Sequence, residues 1–190
     1  GFLYVAPDLR TRERMRRYEK KEKKAALELQ KLKGQETVTQ YGKKIRLYAN
    51  IGNVTDAEDA LFQDAEGIGL FRSEFLYLEK NSLPTEKEQF ESYRAVAEKM
   101  KGKKVIIRTM DIGADKQADY LGLEKEENPA MGYRAIRICL DQQEIFRTQL
   151  RAIYRASVYG TVAVMFPMII SVEEVREIKR QIEAVKEELR

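Results

Sequence analysis

The residues of this chain best placed to do chemistry are arginines standing at the ends of apolar runs. Arg72 closes the run Gly67-Ile68-Gly69-Leu70-Phe71, and Arg108 follows Val105-Ile106-Ile107. Arg134 comes after Asn128-Pro129-Ala130-Met131-Gly132-Tyr133. A guanidinium is effectively always charged, and burying one without a partner is costly. Its planar fork matches carboxylate and phosphate oxygens in pairs. If the first two runs are neighbouring parallel strands, about 4.8 Å apart, Arg72 and Arg108 can grip one small polyanion. The same charges can instead be met within the chain, where Glu74, Asp111 and Asp115 are the nearby acids.

Other groups carry less. The 190 residues include no histidine, which removes Ser-His-Asp and Cys-His catalysis and the commonest metal ligand. Asp111 and Asp115 offer oxygen ligands for a divalent cation, or else cap a helix or pair with arginine. Gly67-Ile68-Gly69 lacks the third glycine of a dinucleotide fingerprint and sits inside a strand pattern, so close packing is the expected role. Cys139 lies in Ala135-Ile136-Arg137-Ile138-Cys139-Leu140, which reads as a packed helix, and is expected to be a small core residue. As the single cysteine it also excludes an internal disulfide.

These side chains need elements to hold them. Strand-length apolar runs occur at Ile45–Ile51, Gly67–Phe71, Val105–Asp111 and Val162–Ile169. Helical patterns follow at 56–65, 85–101, 133–140 with 142–158, and 172–190. Four pairs fit a capping box, in which a cap oxygen and a carboxylate three residues on each satisfy a free N–H: Thr55 with Glu58, Thr85 with Glu88, Asp141 with Glu144, and Ser171 with Glu174. Strand, loop, capped helix, repeated four times, predicts an α/β fold of parallel βα units. An open doubly wound sheet and half of a closed (β/α)8 barrel both satisfy that grammar. Ahead of it, GFLYVAP reads as a short strand. Residues 11–33 read as a charged helix with Met15, Tyr18, Ala25, Leu29 and Leu32 along one seam.

Charge and hydropathy set the surroundings. Lysine and arginine number 35 against 31 acids, and the basic stretch from Arg10 to Lys24 is broken by Glu13, Glu19 and Glu22. That mixture predicts a solvated helix face and no nucleic-acid binding. No apolar run approaches the roughly 18 residues that cross a bilayer, and the opening residues lack a signal-peptide pattern. The expected location is the cytoplasm, with no membrane association.

The same segments resemble the Enzyme I family, the phosphoenolpyruvate–protein phosphotransferases of the sugar phosphotransferase system. GIGLFRSEFLY at 67–77 is similar to that family's first arginine motif, and RTMDIGADK at 108–116 to its second. EENPAMGYRAIR at 126–137 is similar to the third, and MFPMI at 165–169 with SVEEV at 171–175 to the fourth strand and its helix. The resemblance implies a (β/α)8 TIM barrel that binds phosphoenolpyruvate, of which residues 37–190 are the N-terminal half. Residues 11–36 are then a linker helix, and residues 1–10 the end of an upstream phosphohistidine domain. It also implies that Arg72 and Arg108 hold the phosphate, with Arg134 supporting the pocket. Ser73 stands where threonine is common, Ala114 where glycine is common and Tyr133 where tryptophan is common, and none of these removes a charge.

The reaction implied is phosphoryl transfer from phosphoenolpyruvate to a protein histidine, which then charges a phosphocarrier protein. The resemblance places that histidine upstream, and the Mg2+ ligands and a protonating cysteine downstream. The chain alone is therefore expected to be inactive, and its open sheet edges to favour self-association. Two rivals remain. One is a related enzyme: the nitrogen-branch paralogue, pyruvate-phosphate dikinase or phosphoenolpyruvate synthase. The other is a non-catalytic βα interaction module.

Overall fold

The computed structural model describes residues 2–116 and 118–190, which divide into two compact units, one running to Ile45 and the other spanning Arg46–Arg190. In the first unit, α1 (Leu9–Gln30) starts at Asp8, whose carboxylate accepts the Thr11 N–H at 2.7 Å. The expected seam does not become a core: no residue of α1 is buried. The helix is supported by local pairs such as Lys23–Glu19 at 2.6 Å. Residues 2–7 form no strand, because no described backbone pairs with them and Ala6 turns the chain with φ of 46°. Among the described residues of this unit, a single bridge joins Val38 to Lys44.

In the second unit, β1 (Ala49–Ile51), β2 (Gly67–Arg72), β3 (Lys104–Arg108) and β4 (Val162–Met165) form one sheet in the order β1-β2-β3-β4. Every pairing is parallel. α2 (Val54–Phe62) links β1 to β2. α3 (Glu74–Leu78) and α4 (Glu86–Lys99) link β2 to β3. α5 (Ile136–Asp141) and α6 (Gln143–Ala156) link β3 to β4, and α7 (Val172–Glu188) follows. α2 packs on α4, α4 on α6 and α6 on α7, so these helices form one layer. Strand order never reverses, unlike a doubly wound sheet at its switch point. The architecture is α/β with a parallel four-stranded sheet, and is consistent with part of a (β/α) barrel.

The core explains the apolar character of the strands. Ile68, Phe71, Val105 and Ile107 are buried against helix residues including Tyr93 and Ile153. Phe71 meets Tyr93 edge-on at 5.6 Å between ring centres. Each such side chain contributes roughly 1.5–3 kcal/mol by leaving water. The Gly67-Ile68-Gly69 pair serves close packing: a Cβ on Gly67 would sit 2.7 Å from the Lys104 carbonyl oxygen, and one on Gly69 would sit 3.0 Å from Tyr48 Cβ.

Several boundaries differ from the pattern, each for a local reason. β1 begins at Ala49, not Ile45, because earlier backbone groups are used elsewhere. The Ile45 N–H donates to the Thr37 carbonyl at 2.8 Å, and the Leu47 N–H to the Glu66 carboxylate at 2.6 Å. Thr85–Glu88 and Ser171–Glu174 form complete capping boxes. Thr55 does not cap, because Asn53 accepts the Asp56 N–H first, at 2.9 Å, and the helix is already under way at Val54. Asp141 closes α5 and accepts the Tyr133 hydroxyl at 2.6 Å, leaving α6 without a side-chain cap.

Candidate functional site

The carboxyl ends of β2 and β3 bring the first two arginines together. Arg72 and Arg108 are direct partners in the β2–β3 ladder. Their neighbours Phe71 and Ile107 point into the helix-side core. Alternation along a strand therefore places both arginines on the opposite face. In parallel α/β folds that rim, beyond the strand ends, is where ligands bind.

The three arginines differ in how their charge is met. Arg72 has no carboxylate partner among the described residues; its guanidinium lies 4.9 Å from the centre of the Phe75 ring. Arg108 is ion-paired to Glu74, and to Asp111 at 3.1 Å. Arg134 uses four of its five donors within the chain: Nε and Nη2 donate to Asp111 Oδ1 at 3.1 and 2.8 Å, and Nη1 to Asp115 Oδ1 at 3.4 Å and the Pro129 carbonyl at 3.3 Å. Asp111 thus bridges Arg108 and Arg134. Burial opposes ionisation of Asp115, but the hydrogen bond from Lys116 and the charges of Lys116 and Arg134 outweigh it and hold the carboxyl below its ordinary value. Three guanidinium groups and the Lys116 ammonium face three carboxylates, which leaves one positive charge in excess, and Arg72 is the unmatched cation.

Four buried side-chain atoms at this rim have no hydrogen-bond partner among the described residues: Arg72 Nε, Glu74 Oε2, Arg108 Nε and Thr109 Oγ1. An orphaned buried polar atom costs about 1–3 kcal/mol, and native structures hold few of them. Two of the four, Arg72 Nε and Arg108 Nε, belong to the paired strand-terminal arginines themselves. Pattern reading passed over Thr109, which is fully buried beside the rim, and named Glu74 only as an arginine partner, the role it has here with Arg108. The signal available was position, since each lies one or two residues beyond a strand-terminal arginine.

A metal fits poorly here. Among the described residues no group of three or more His, Cys, Asp or Glu side chains could hold one. Asp111 and Asp115, the oxygen ligands suggested by spacing, are committed to Arg134. Cys139 is buried, and burial pushes its thiol up to about 12. The reactive thiolate is therefore scarce at pH 8. The expected result is that a thiol-specific disulfide reagent leaves Cys139 unmodified at pH 8 for hours and titrates one thiol on adding denaturant. Rapid modification of the folded chain would contradict the packed-core role.

Residues 26–190 match the family model described as PEP-utilising enzyme, PEP-binding domain. The chain belongs to this family. As a PEP-binding domain it has curated relatives called phosphoenolpyruvate-protein phosphotransferase. The one from Haemophilus influenzae is 50% identical over 188 residues, covering 99% of this chain and 33% of the relative. The one from Staphylococcus carnosus is 53% identical over 163 residues, covering 86% of this chain and 28% of the relative. The chain therefore spans a third or less of the length of these relatives. The family resemblance carried by the arginine motifs is borne out, and the relatives are enzymes by name. No described helix of this PEP-binding domain is long and apolar enough to cross a membrane.

Proposed function

We propose that this chain is the substrate-binding part of a phosphoenolpyruvate–protein phosphotransferase. The observation that carries the reading is Arg72, an unmatched cation directly across the ladder from Arg108 at a rim rich in orphaned polar atoms. Phosphoenolpyruvate supplies a phosphate and a carboxylate, which suit two guanidinium forks. Arg72 and Arg108 hold the phosphate. Arg134 acts one step back, fixing Asp111 and through it Arg108.

The reaction breaks the bond between phosphorus and the enol oxygen and forms one between phosphorus and a histidine nitrogen. The enolate then takes a proton at its methylene carbon and leaves as pyruvate. With no histidine in the sequence, this chain contributes binding and charge neutralisation, not the acceptor. Such transfers depend chiefly on positioning and electrostatics. The described carboxylates do not form a metal site, so Mg2+, which this family generally uses, is assigned to residues outside this chain. The phosphocarrier protein is assigned as the partner of the whole enzyme, and the cytoplasm as its location.

The finer architecture belongs to the same proposal. Residues 37–190 form the first half of a (β/α)8 barrel, residues 11–36 a linker helix, and residues 1–10 the end of a phosphohistidine domain. A half barrel leaves the edges of β1 and β4 free to pair with another copy, so light scattering should give a mass above that of a monomer. Calorimetry tests the central claim. Phosphoenolpyruvate titrated into the chain should give weak, saturable heat, while coupled assay detects no pyruvate release. Absence of heat at millimolar ligand would favour the non-catalytic module, for which the internal ion pairs of Arg108 and Arg134 speak.

A further inference from the structure

We propose that Gln149, on α6 and far from the arginines in sequence, is a positioning residue that sets Arg72 and Arg108 in register for an anion; this rests on the binding role proposed above. Gln149 is fully buried, and each of its polar atoms is used. Its Oε1 accepts the Met110 backbone N–H at 2.9 Å. Its Nε2 donates to Ser73 Oγ at 2.9 Å and to the Tyr93 hydroxyl at 3.0 Å. Ser73 Oγ in turn donates to the Arg108 carbonyl oxygen at 2.6 Å.

The contacts close a ring. One hydroxyl joins the residue after Arg72 to the backbone of Arg108, and one amide grips that hydroxyl and the backbone two residues past Arg108. The segment between them carries the Arg108 side chain, and its counter-ion Asp111 is the next residue along the chain. The orientation of the amide is fixed, because turning it over would bring its NH2 against the Met110 N–H, donor to donor. The Tyr93 hydroxyl is held from behind, donating to Gln89 Oε1 at 3.2 Å. A hydrogen-bonded network of this kind, fully satisfied and buried, specifies geometry more sharply than apolar packing does. It lies immediately beneath the orphaned atoms of the rim, and none of its members has a polar atom left over for a ligand. Its role is therefore exerted through the arginines.

The test uses the full-length protein that carries this chain. Phosphoenolpyruvate affinity by calorimetry and thermal stability are measured for the wild type, Gln149→Met, Ser73→Ala, Val185→Ala and Arg72→Ala. Val185 is a buried apolar residue of α7 that takes no part in the ring's hydrogen bonds, and controls for general loss of core stability. The expected result is that Gln149→Met and Ser73→Ala, assayed well below their unfolding temperatures, bind about tenfold or more weakly, while Val185→Ala binds as the wild type despite a comparable fall in melting temperature. If Gln149→Met does not fold, Ser73→Ala, which removes one oxygen, decides alone. Binding by the folded ring variants within twofold of wild type, with binding lost in Arg72→Ala, overturns the positioning role and leaves the site intact. Undiminished binding in Arg72→Ala shows that the site reading itself has failed, and the positioning role falls with it.

Discussion

Replacing Arg72 by alanine should abolish phosphoenolpyruvate binding while leaving the fold as stable as before or slightly more so. Most arginine truncations at a buried rim damage both, because a carboxylate is left behind. Arg72 has none: its guanidinium rests on Phe75, an interaction worth about 0.5–1 kcal/mol at an exposed site and more when desolvated. Against that small loss stand relief of an orphaned Nε and of the desolvation of an unmatched cation. A ligand anion, by contrast, loses charge-assisted hydrogen bonds worth about 2–4 kcal/mol, roughly 30- to 1000-fold in affinity. Calorimetry and thermal unfolding on the same preparations separate the two effects. A variant that binds normally, or one that unfolds many degrees earlier, would show that Arg72 is structural.

The sequence made the arginines legible because apolar runs ending in a fixed charge are costly unless the charge is used. It made Thr85–Glu88 and Ser171–Glu174 legible because a capping box is local, requiring only residues three apart. Thr55 failed for the same reason: the rule does not see which of two adjacent candidates meets the helix first, and Asn53 does. The choice among ion pairs was out of reach. For Asp111 and Asp115 the pattern favours a helix cap or an arginine pair over a metal, but only the fold shows that the partner is Arg134, brought to them across 23 and 19 residues. α3 was missed, since five residues following a strand carry too little periodicity to register. Gln149 left a faint mark, a polar residue on the buried stripe of α6 between Phe146 and Ile153. Its meaning depends on Ser73, 76 residues away, and no local pattern links them.

Arg108→Ala should be the counterpart of Arg72→Ala, losing stability as well as binding. Glu74 has no other cationic partner among the described residues, its side chain is 9% exposed, and its Oε2 is already without a hydrogen bond. Removing Arg108 strands that carboxylate in a poorly solvated place, which costs about 2–4 kcal/mol. Asp111 suffers less, because Arg134 still holds it at 2.8 Å. The explanation is checked by adding Glu74→Gln to Arg108→Ala. The neutral amide needs no cation, so the double variant should recover most of the stability in urea unfolding and none of the phosphoenolpyruvate binding. If stability does not return, the loss in Arg108→Ala came from packing rather than from a stranded charge. If binding returns with it, Arg108 was serving Glu74 and not the ligand. Arg72 and Arg108, partners in one ladder, would then be unequal in role, with only the first reserved for a guest.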